Sequence, residues 1–486
     1  MKRRLLVIGL DGASFDLVSR IVSEGHLPNM HRLMKEGSCG RLLSTIPPFS
    51  SPAWVSFRTG KNPGKLGVYG FFCRRKDSYE FELVDFGKVD SSSLWDILGI
   101  NGVRVGVIAV PTTFPPQEVN GFMVSGWPMP KGAVVTFPST LQEEVERLGL
   151  TSHRDRRATW RFSSDEDVFM RGLCEDADKH YNLALSLMTT LPWEFLMTVF
   201  VHTDIVQHFF WKYVEETHPL HDTKSAKQGY EKLVTFYQRI DNMVGRLVEI
   251  AGENAYVFIV SDHGGGSMHY IFNVNAWLRE HCYLAMRARA KLDFAEMLRA
   301  LARRKWIMTV LRRTKILRLY YSLSDRLARV PVFCHLIPQP ERLWGRMMLS
   351  GVEWTRTSAY GIGVGNVGYI YLNVRGREPS GVVEAGKPYE ELREELAAKL
   401  KELKDPRDGR AIPVQLFMKE EIYRGDHADQ APDIIFSLDG YRGEIGWSVG
   451  SRAIFDFNIA GRHESGTHTM SGTLIARGEA IKADFQ

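Results

Sequence analysis

Cysteine is scarce in this 486-residue chain. There are five, Cys39, Cys73, Cys174, Cys282 and Cys334, an odd number with no two in a C-x-x-C spacing. That pattern argues against a disulfide framework and against a thiolate zinc site, and a reducing cytoplasm is the expected location. Long hydrophobic runs are missing too. Met1-Lys-Arg-Arg imitates the front of a signal peptide, but the apolar run from Leu5 to Leu10 stops at Asp11, too short for a leader core. No stretch approaches the roughly 18 apolar residues of a membrane span, so a soluble protein is expected. Repeats and low-complexity tracts are lacking. Charge of one sign is in small excess, +5 overall, but thirteen Lys/Arg face three acidic residues between Arg287 and Arg329. The remainder is therefore slightly acidic, and no stable nucleic-acid complex is expected.

What is present is ordinary globular material, 44% apolar and 24% charged. Leu5-Leu-Val-Ile-Gly-Leu10 reads as a buried strand, and Phe15 to Glu36 follows with helical spacing up to Gly37. Further buried strands are expected at Val103–Val110, Phe195–Val201 and Ala255–Val260. Helices are expected at Trp95–Gly99, Tyr181–Thr190 and Tyr230–Ala251. This alternation predicts an α/β fold with a mostly parallel central sheet covered by helices on both faces. Gly368–Asn373 reads as a strand and Tyr389–Leu403 as a helix, with Asp433–Ser437 and Thr473–Ala476 as closing strands. The core is expected over 1–285 and 351–486, with a smaller insertion around 70–165 and a basic helical cap at 286–350.

Ligands of open α/β sheets collect beyond the carboxyl ends of the strands. Asp11 follows the first strand. Asp204 and His208, four residues apart, follow the strand ending at Val201 and share a face if the segment is helical. Asp262-His263 follows another strand, with Gly264-Gly-Gly266 behind it to permit an unusual backbone path. His468 lies just before the last strand. A lone Asp at a strand end is more often a turn residue, but three Asp and three His at strand boundaries favour a metal site. Asp/His ligation without thiolates suits zinc, manganese or iron. Ser50 or Ser51 can cap a helix starting at Pro52 and ending at Gly60, a setting that also binds phosphate and can present a nucleophile. Lys61 and Asn62 either assist phosphate binding or decorate a turn.

Together these segments resemble the alkaline phosphatase superfamily, most closely its type I phosphodiesterase/nucleotide pyrophosphatase branch. The resemblance is carried by LLVIGLDGASFD, PPFSSPAWVSFRTGKNPGKLG, HTDIVQHFFW, SDHGGG and GTHTMSGTLIARG, in family order from residue 5 to residue 478. It implies an alkaline-phosphatase-like core holding two divalent ions, zinc first, with manganese or iron as alternatives. Asp204, His208 and His468 would hold one ion; Asp11, Asp262, His263 and the nucleophile oxygen the other. Counting back from Thr59-Gly60 puts the family's nucleophile on Ser50. Trp54 stands where the sulfatase branch carries Arg, which disfavours a formylglycine sulfatase, and Leu66 stands where related chains often carry His. The expected activity is hydrolysis of small-molecule phosphodiesters or nucleotide pyrophosphates. A flat apolar surface of Trp54, Val55 and Phe57 is expected to receive the second ester substituent. A phosphoglycerate-mutase-like phosphotransferase, a phosphomonoesterase and a phosphonate hydrolase are the enzymatic alternatives. The non-enzymatic one is a lipid-binding protein touching membrane surfaces through 287–329, a segment better read as a solvated cap face.

Overall fold

Leu5–Leu10 is a strand whose side chains alternate between two buried layers, as the two-residue period of a strand requires. Leu6, Ile8 and Leu10 enter one apolar cluster, and Val7 enters another. Phe195–Phe200 repeats the pattern: Leu196 and Phe200 face the first cluster, Phe195, Met197 and Val199 the second. Burial on both faces explains why these segments read as continuous apolar runs. The computed structural model describes residues 4–84, 89–129, 132–148, 165–287, 349–461 and 464–483. The basic segment 287–329 lies, apart from Arg287, outside the described residues, as does nearly all of the cap expected at 286–350.

Among the described residues the central sheet has eight strands, in the order Ser38–Leu43, Ser471–Arg477, Tyr256–Val260, Leu5–Leu10, Phe195–Phe200, Val105–Val110, Gly121–Ser125 and Thr136–Phe137. Pairing is parallel from Tyr256–Val260 through Gly121–Ser125 and antiparallel at both margins. Helices Phe15–Ser23, Pro28–Glu36, Glu166–Thr190 and Thr223–Ala251 supply apolar residues to the first cluster. Ser50–Thr59 and Leu94–Ile100 cover the other face through Trp54 and Trp95. This is the α/β architecture expected.

Some expectations change. Phe15 to Glu36 is two helices rather than one, because Gly25 turns left-handed at φ 82° and Pro28 opens a second helix. Gly121–Ser125 and Thr136–Phe137, inside the span read as an insertion, belong to the central sheet. Ile434–Leu438 does not close that sheet. It joins Val414–Met418, Val367–Leu372 and Ala359–Val364 in a separate antiparallel sheet, whose own cluster includes Tyr360, Ile370 and Phe436. Among the described residues, no helix is long and apolar enough to cross a membrane.

Candidate metal centre and nucleophile

Four chain segments meet at the carboxyl edge of the parallel strands. Asp11 follows Leu5–Leu10. Asp204 and His208 lie one turn apart on helix His202–Phe210, with Asp204 Oδ1 3.3 Å from His208 Nε2. Asp262 and His263 follow Tyr256–Val260. His468 sits on the short strand Gly466–Thr469, which pairs antiparallel with Gly264–Ser267. The three glycines of SDHGGG therefore form a strand instead of an irregular loop, and none has a positive φ. Their role is close approach. A Cβ on Gly265 would lie 2.5 Å from Gln207 Oε1, and one on Gly264 2.3 Å from Ser471 O.

Six ligand-type side chains fall into two groups: Asp204, His208 and His468, and Asp11, Asp262 and His263. In each group the donor atoms lie within 4.8 Å of one another. The groups adjoin, since the His263 and His468 rings stack with centroids 3.9 Å apart. Nδ1 of His208, His263 and His468 faces a backbone carbonyl, of Gly466, Gly264 and Pro48, at 2.9, 3.1 and 3.1 Å. A carbonyl can only accept, so each Nδ1 donates and each Nε2 points inward, the orientation of a metal-ligating imidazole.

The electrostatics suit cations. Burial, followed by repulsion from Asp262 and Asp204, raises the Asp11 carboxyl well above its ordinary range. Burial raises Asp262 likewise, despite the N–H of Gly12 donating to its Oδ1 at 3.0 Å. Asp262 Oδ2 is buried without a hydrogen-bond partner among the described residues. Burial opposes ionisation of Asp204, but His208 and His468 hold its carboxyl well below the usual range. Burial and the neighbouring His263 lower His468 to about 4. Burial lowers His208 while Asp204 raises it, to about 10 overall, so a cation there would displace a proton. Three clustered carboxylates, one with an orphaned oxygen, and three inward imidazole nitrogens fit a pair of divalent ions.

Ser50 opens helix Ser50–Thr59 with extended Phe49 as its cap, so neither serine caps a helix beginning at Pro52. Ser50 Oγ lies 3.1 Å from Asp11 Oδ1, to which it donates, and 3.2 Å from His263 Nε2. Ser51 is fully buried and donates to Gly70 O at 3.0 Å. Gly60 ends the helix at φ 65°, as expected.

Of the three substrate contacts expected from sequence, Trp54 and Asn62 hold partners within the protein, and Lys61 lies beyond the end of the helix. Trp54 and Val55 are fully buried in two different apolar clusters, so they cannot form a substrate surface with Phe57. Trp54 instead donates through Nε1 to Asp11 Oδ2 at 2.9 Å. Asn62 caps the turn Pro63–Leu66 by accepting from Gly64 N, and its Nδ2 donates to Ile422 O. Lys61 and Asn62 follow the far end of a ten-residue helix, roughly 15 Å from Ser50 at 1.5 Å per residue. Three supports went unread. Thr203 Oγ1 donates to Asp11 O at 2.6 Å and Gln207 Nε2 to Gly12 O at 2.6 Å. Their spacing in HTDIVQHFFW, four residues apart, was the available signal. Asn366, which donates to the carbonyls of His468 and Tyr441, had none.

A model of the type I phosphodiesterase / nucleotide pyrophosphatase family matches residues 5–449. The chain belongs to this family. Its members are phosphoester hydrolases of the alkaline phosphatase superfamily, a family that generally uses two divalent metals. The match covers five of the six ligand-type residues and Ser50; His468 lies beyond it. No curated relative is similar in sequence. Among solved structures, phosphonoacetate hydrolase from Sinorhizobium meliloti 1021, in complex with phosphonoformate, superposes with a TM-score of 0.51 at 13% identity, over 99% of this chain and 91% of that one. Human ectonucleotide pyrophosphatase / phosphodiesterase 5 gives 0.49 at 12% identity, over 100% and 90%. At such identity the first likeness bears on the fold.

Proposed function

We propose that the protein hydrolyses phosphodiesters or nucleotide pyrophosphates, with Ser50 as nucleophile and two divalent ions, zinc first, as cofactors. The observation that carries this reading is Ser50 Oγ, within 3.2 Å of both Asp11 and His263 at the start of a helix. Asp204, His208 and His468 would hold one ion, and Asp11, Asp262 and His263 the other. When bound, such ions polarise phosphoryl oxygens and offset charge on the attacking and leaving oxygens.

The chain's own groups supply the rest. The hydrogen bond to Asp11 Oδ1 aims the Ser50 hydroxyl proton away from an incoming phosphorus and leaves an oxygen lone pair free to attack. The N–H groups of Ser50 and Ser51 open the helix, while Pro52 has none, so two first-turn donors are available to a phosphoryl oxygen bound there. Attack forms a Ser50–phosphorus bond as the hydroxyl proton leaves, and breaks the bond to the leaving oxygen, which departs with the electron pair and takes up a proton. Water then cleaves the serine ester and restores the hydroxyl.

The test compares kcat/KM for bis-p-nitrophenyl phosphate, p-nitrophenyl phosphate and a p-nitrophenyl nucleotide ester, each with zinc and with manganese. Diesters are expected to lead. A monoester preferred by tenfold or more, about 1.4 kcal/mol of transition-state discrimination, would replace this reading with a phosphatase or phosphotransferase.

A further inference from the structure

Helix His202–Phe210 presents Asp204 and His208 on one face, one turn apart. Thr203 and Gln207 each precede one of them, so they share the adjoining face, about 100° around the helix. Both are buried, at 0% and 2% exposure. They meet the backbone where strand Leu5–Leu10 ends, at Asp11 and Gly12. Thr203 Oγ1 donates to Asp11 O at 2.6 Å, closer than its other acceptor, Phe200 O at 3.2 Å. Gln207 Nε2 donates to Gly12 O at 2.6 Å, and also to Thr203 O at 3.0 Å, which ties the amide to its own helix.

The other two polar groups of that backbone are held as well. Asp11 N–H donates to Phe200 O at 3.0 Å, and Gly12 N–H to Asp262 Oδ1 at 3.0 Å. Every backbone donor and acceptor of Asp11 and Gly12 therefore has a partner, and both carbonyls are held by one helix face. Gly12 is left-handed at φ 67°, and a Cβ there would lie 2.8 Å from Asp204 Oδ1. Only glycine lets the turn pass so close. The turn is thus a joint between the two groups of ligand-type residues. Asp11 and Asp262 belong to one group, and Asp204, against which Gly12 packs, belongs to the other.

We infer that Thr203 and Gln207 are positioning residues that clamp Asp11 to the helix carrying Asp204 and His208, and so join the two ion sites. The inference rests on the two-ion reading and adds the residues that link the sites. A role confined to the helix would place the damage of their loss on Asp204 and His208. A clamp carries it across to the site of Asp11.

The test measures zinc affinity by competition with a chelator. His208→Ala is used to weaken the site of Asp204 and leave that of Asp11 as the tight equivalent; His263→Ala does the reverse. Gln207→Met, which keeps the side chain's length and removes its donor, is added to each. In the His208→Ala background the tight equivalent should weaken about tenfold, the lower end of the usual effect of losing a ligand's outer support. In the His263→Ala background the change should stay within threefold. Thr203→Val, which keeps the shape and removes the hydroxyl, should repeat this pattern. Thr203→Ser, which keeps the hydroxyl, should restore affinity to within twofold and guards against a general loss of folding. Asp11 also accepts the Ser50 hydroxyl, so Thr203→Val in the otherwise unaltered chain should lower kcat for a diester about tenfold with KM within threefold.

A loss confined to the His263→Ala background, equal losses in both, or none in either would overturn the clamp and leave the two-ion reading standing. So would a Thr203→Ser variant that behaves as Thr203→Val does, or a diester defect carried by KM. A wild-type chain that binds fewer than two zinc equivalents would overturn both. Absence of diester turnover in the wild type would refute the proposed hydrolysis, while the zinc affinities still decide the clamp.

Discussion

At the scale of single residues, the centre is organised around Asp11. Its Oδ2 accepts from Trp54 Nε1 at 2.9 Å, while Oδ1 accepts from Ser50. The indole reaches it because Gly9 has no side chain: a Cβ there would lie 2.7 Å from Trp54 Cη2. Trp54→Phe removes the donor and keeps most of the ring. Affinity for divalent cations is expected to fall about 10–100-fold, the usual effect of losing a ligand's supporting hydrogen bond, measured by competition with a chelator. Unchanged affinity would show that Trp54 only packs. Ser51 makes the matching negative case. Its hydroxyl is committed to Gly70 O, so Ser51→Ala should cost about 1 kcal/mol in denaturant stability and leave kcat/KM within a few fold. If Ser51→Ala abolishes turnover and Ser50→Ala spares it, the nucleophile is displaced by one residue.

At the scale of elements, the decisive contact is the ladder between Gly264–Ser267 and Gly466–Thr469, which carries His468 to His263. Gly265→Ala would force a methyl against Gln207 Oε1 and to within 2.8 Å of Trp211 Cζ3. Helix His202–Phe210 and the His468 strand would then separate, at about 1–3 kcal/mol of stability. The expected signature is weaker binding of one metal equivalent, read by titration, with the second equivalent less affected; equal loss of both would contradict it. This element also shows how far the sequence was legible. The parallel strands were, because burial on both faces writes itself as unbroken apolar runs, and their ends located Asp11, Asp204, Asp262 and His263. Ser50 was distinguished from Ser51 by motif register, and the hydrogen bonds of the two hydroxyls give the physical difference. The glycine strand was misread, because glycine marks close approach and loop freedom with the same letter. Trp54 was misplaced because a tryptophan beside a nucleophile looks the same in sequence whether its ring faces substrate or core. The pairing of Val367–Leu372 with Ile434–Leu438 and the Asn366 support join segments far apart in the chain, contacts that local patterns do not encode.

At the scale of the whole molecule, that second sheet is tied by a buried ion network rather than by apolar packing alone. Asp433 accepts from both Nη atoms of Arg377 at 2.7 and 2.6 Å, from Tyr389 Oη at 2.8 Å and from Leu372 N at 2.8 Å. Burial works to raise its pKa, but Arg377, Lys419 and the Leu372 N–H hold it down, to about 2. A depressed carboxylate contributes stability above its unfolded pKa and loses it as pH falls through the folded one. Between pH 5 and 2 the protein should lose about 2 kcal/mol from this group, and the stability gap between wild type and Asp433→Asn should narrow by that amount in denaturant titrations. A constant gap would contradict the assignment. The central claim, a serine nucleophile beside two ions, is tested most directly by measuring metal stoichiometry and diester turnover on the same preparations of wild type, Ser50→Ala and His208→Ala. The account predicts two equivalents bound by wild type and by Ser50→Ala, kcat/KM reduced at least about a thousandfold in Ser50→Ala, and one equivalent weakened in His208→Ala. Diester turnover by Ser50→Ala within tenfold of wild type, or one equivalent bound by the wild-type chain, would contradict it.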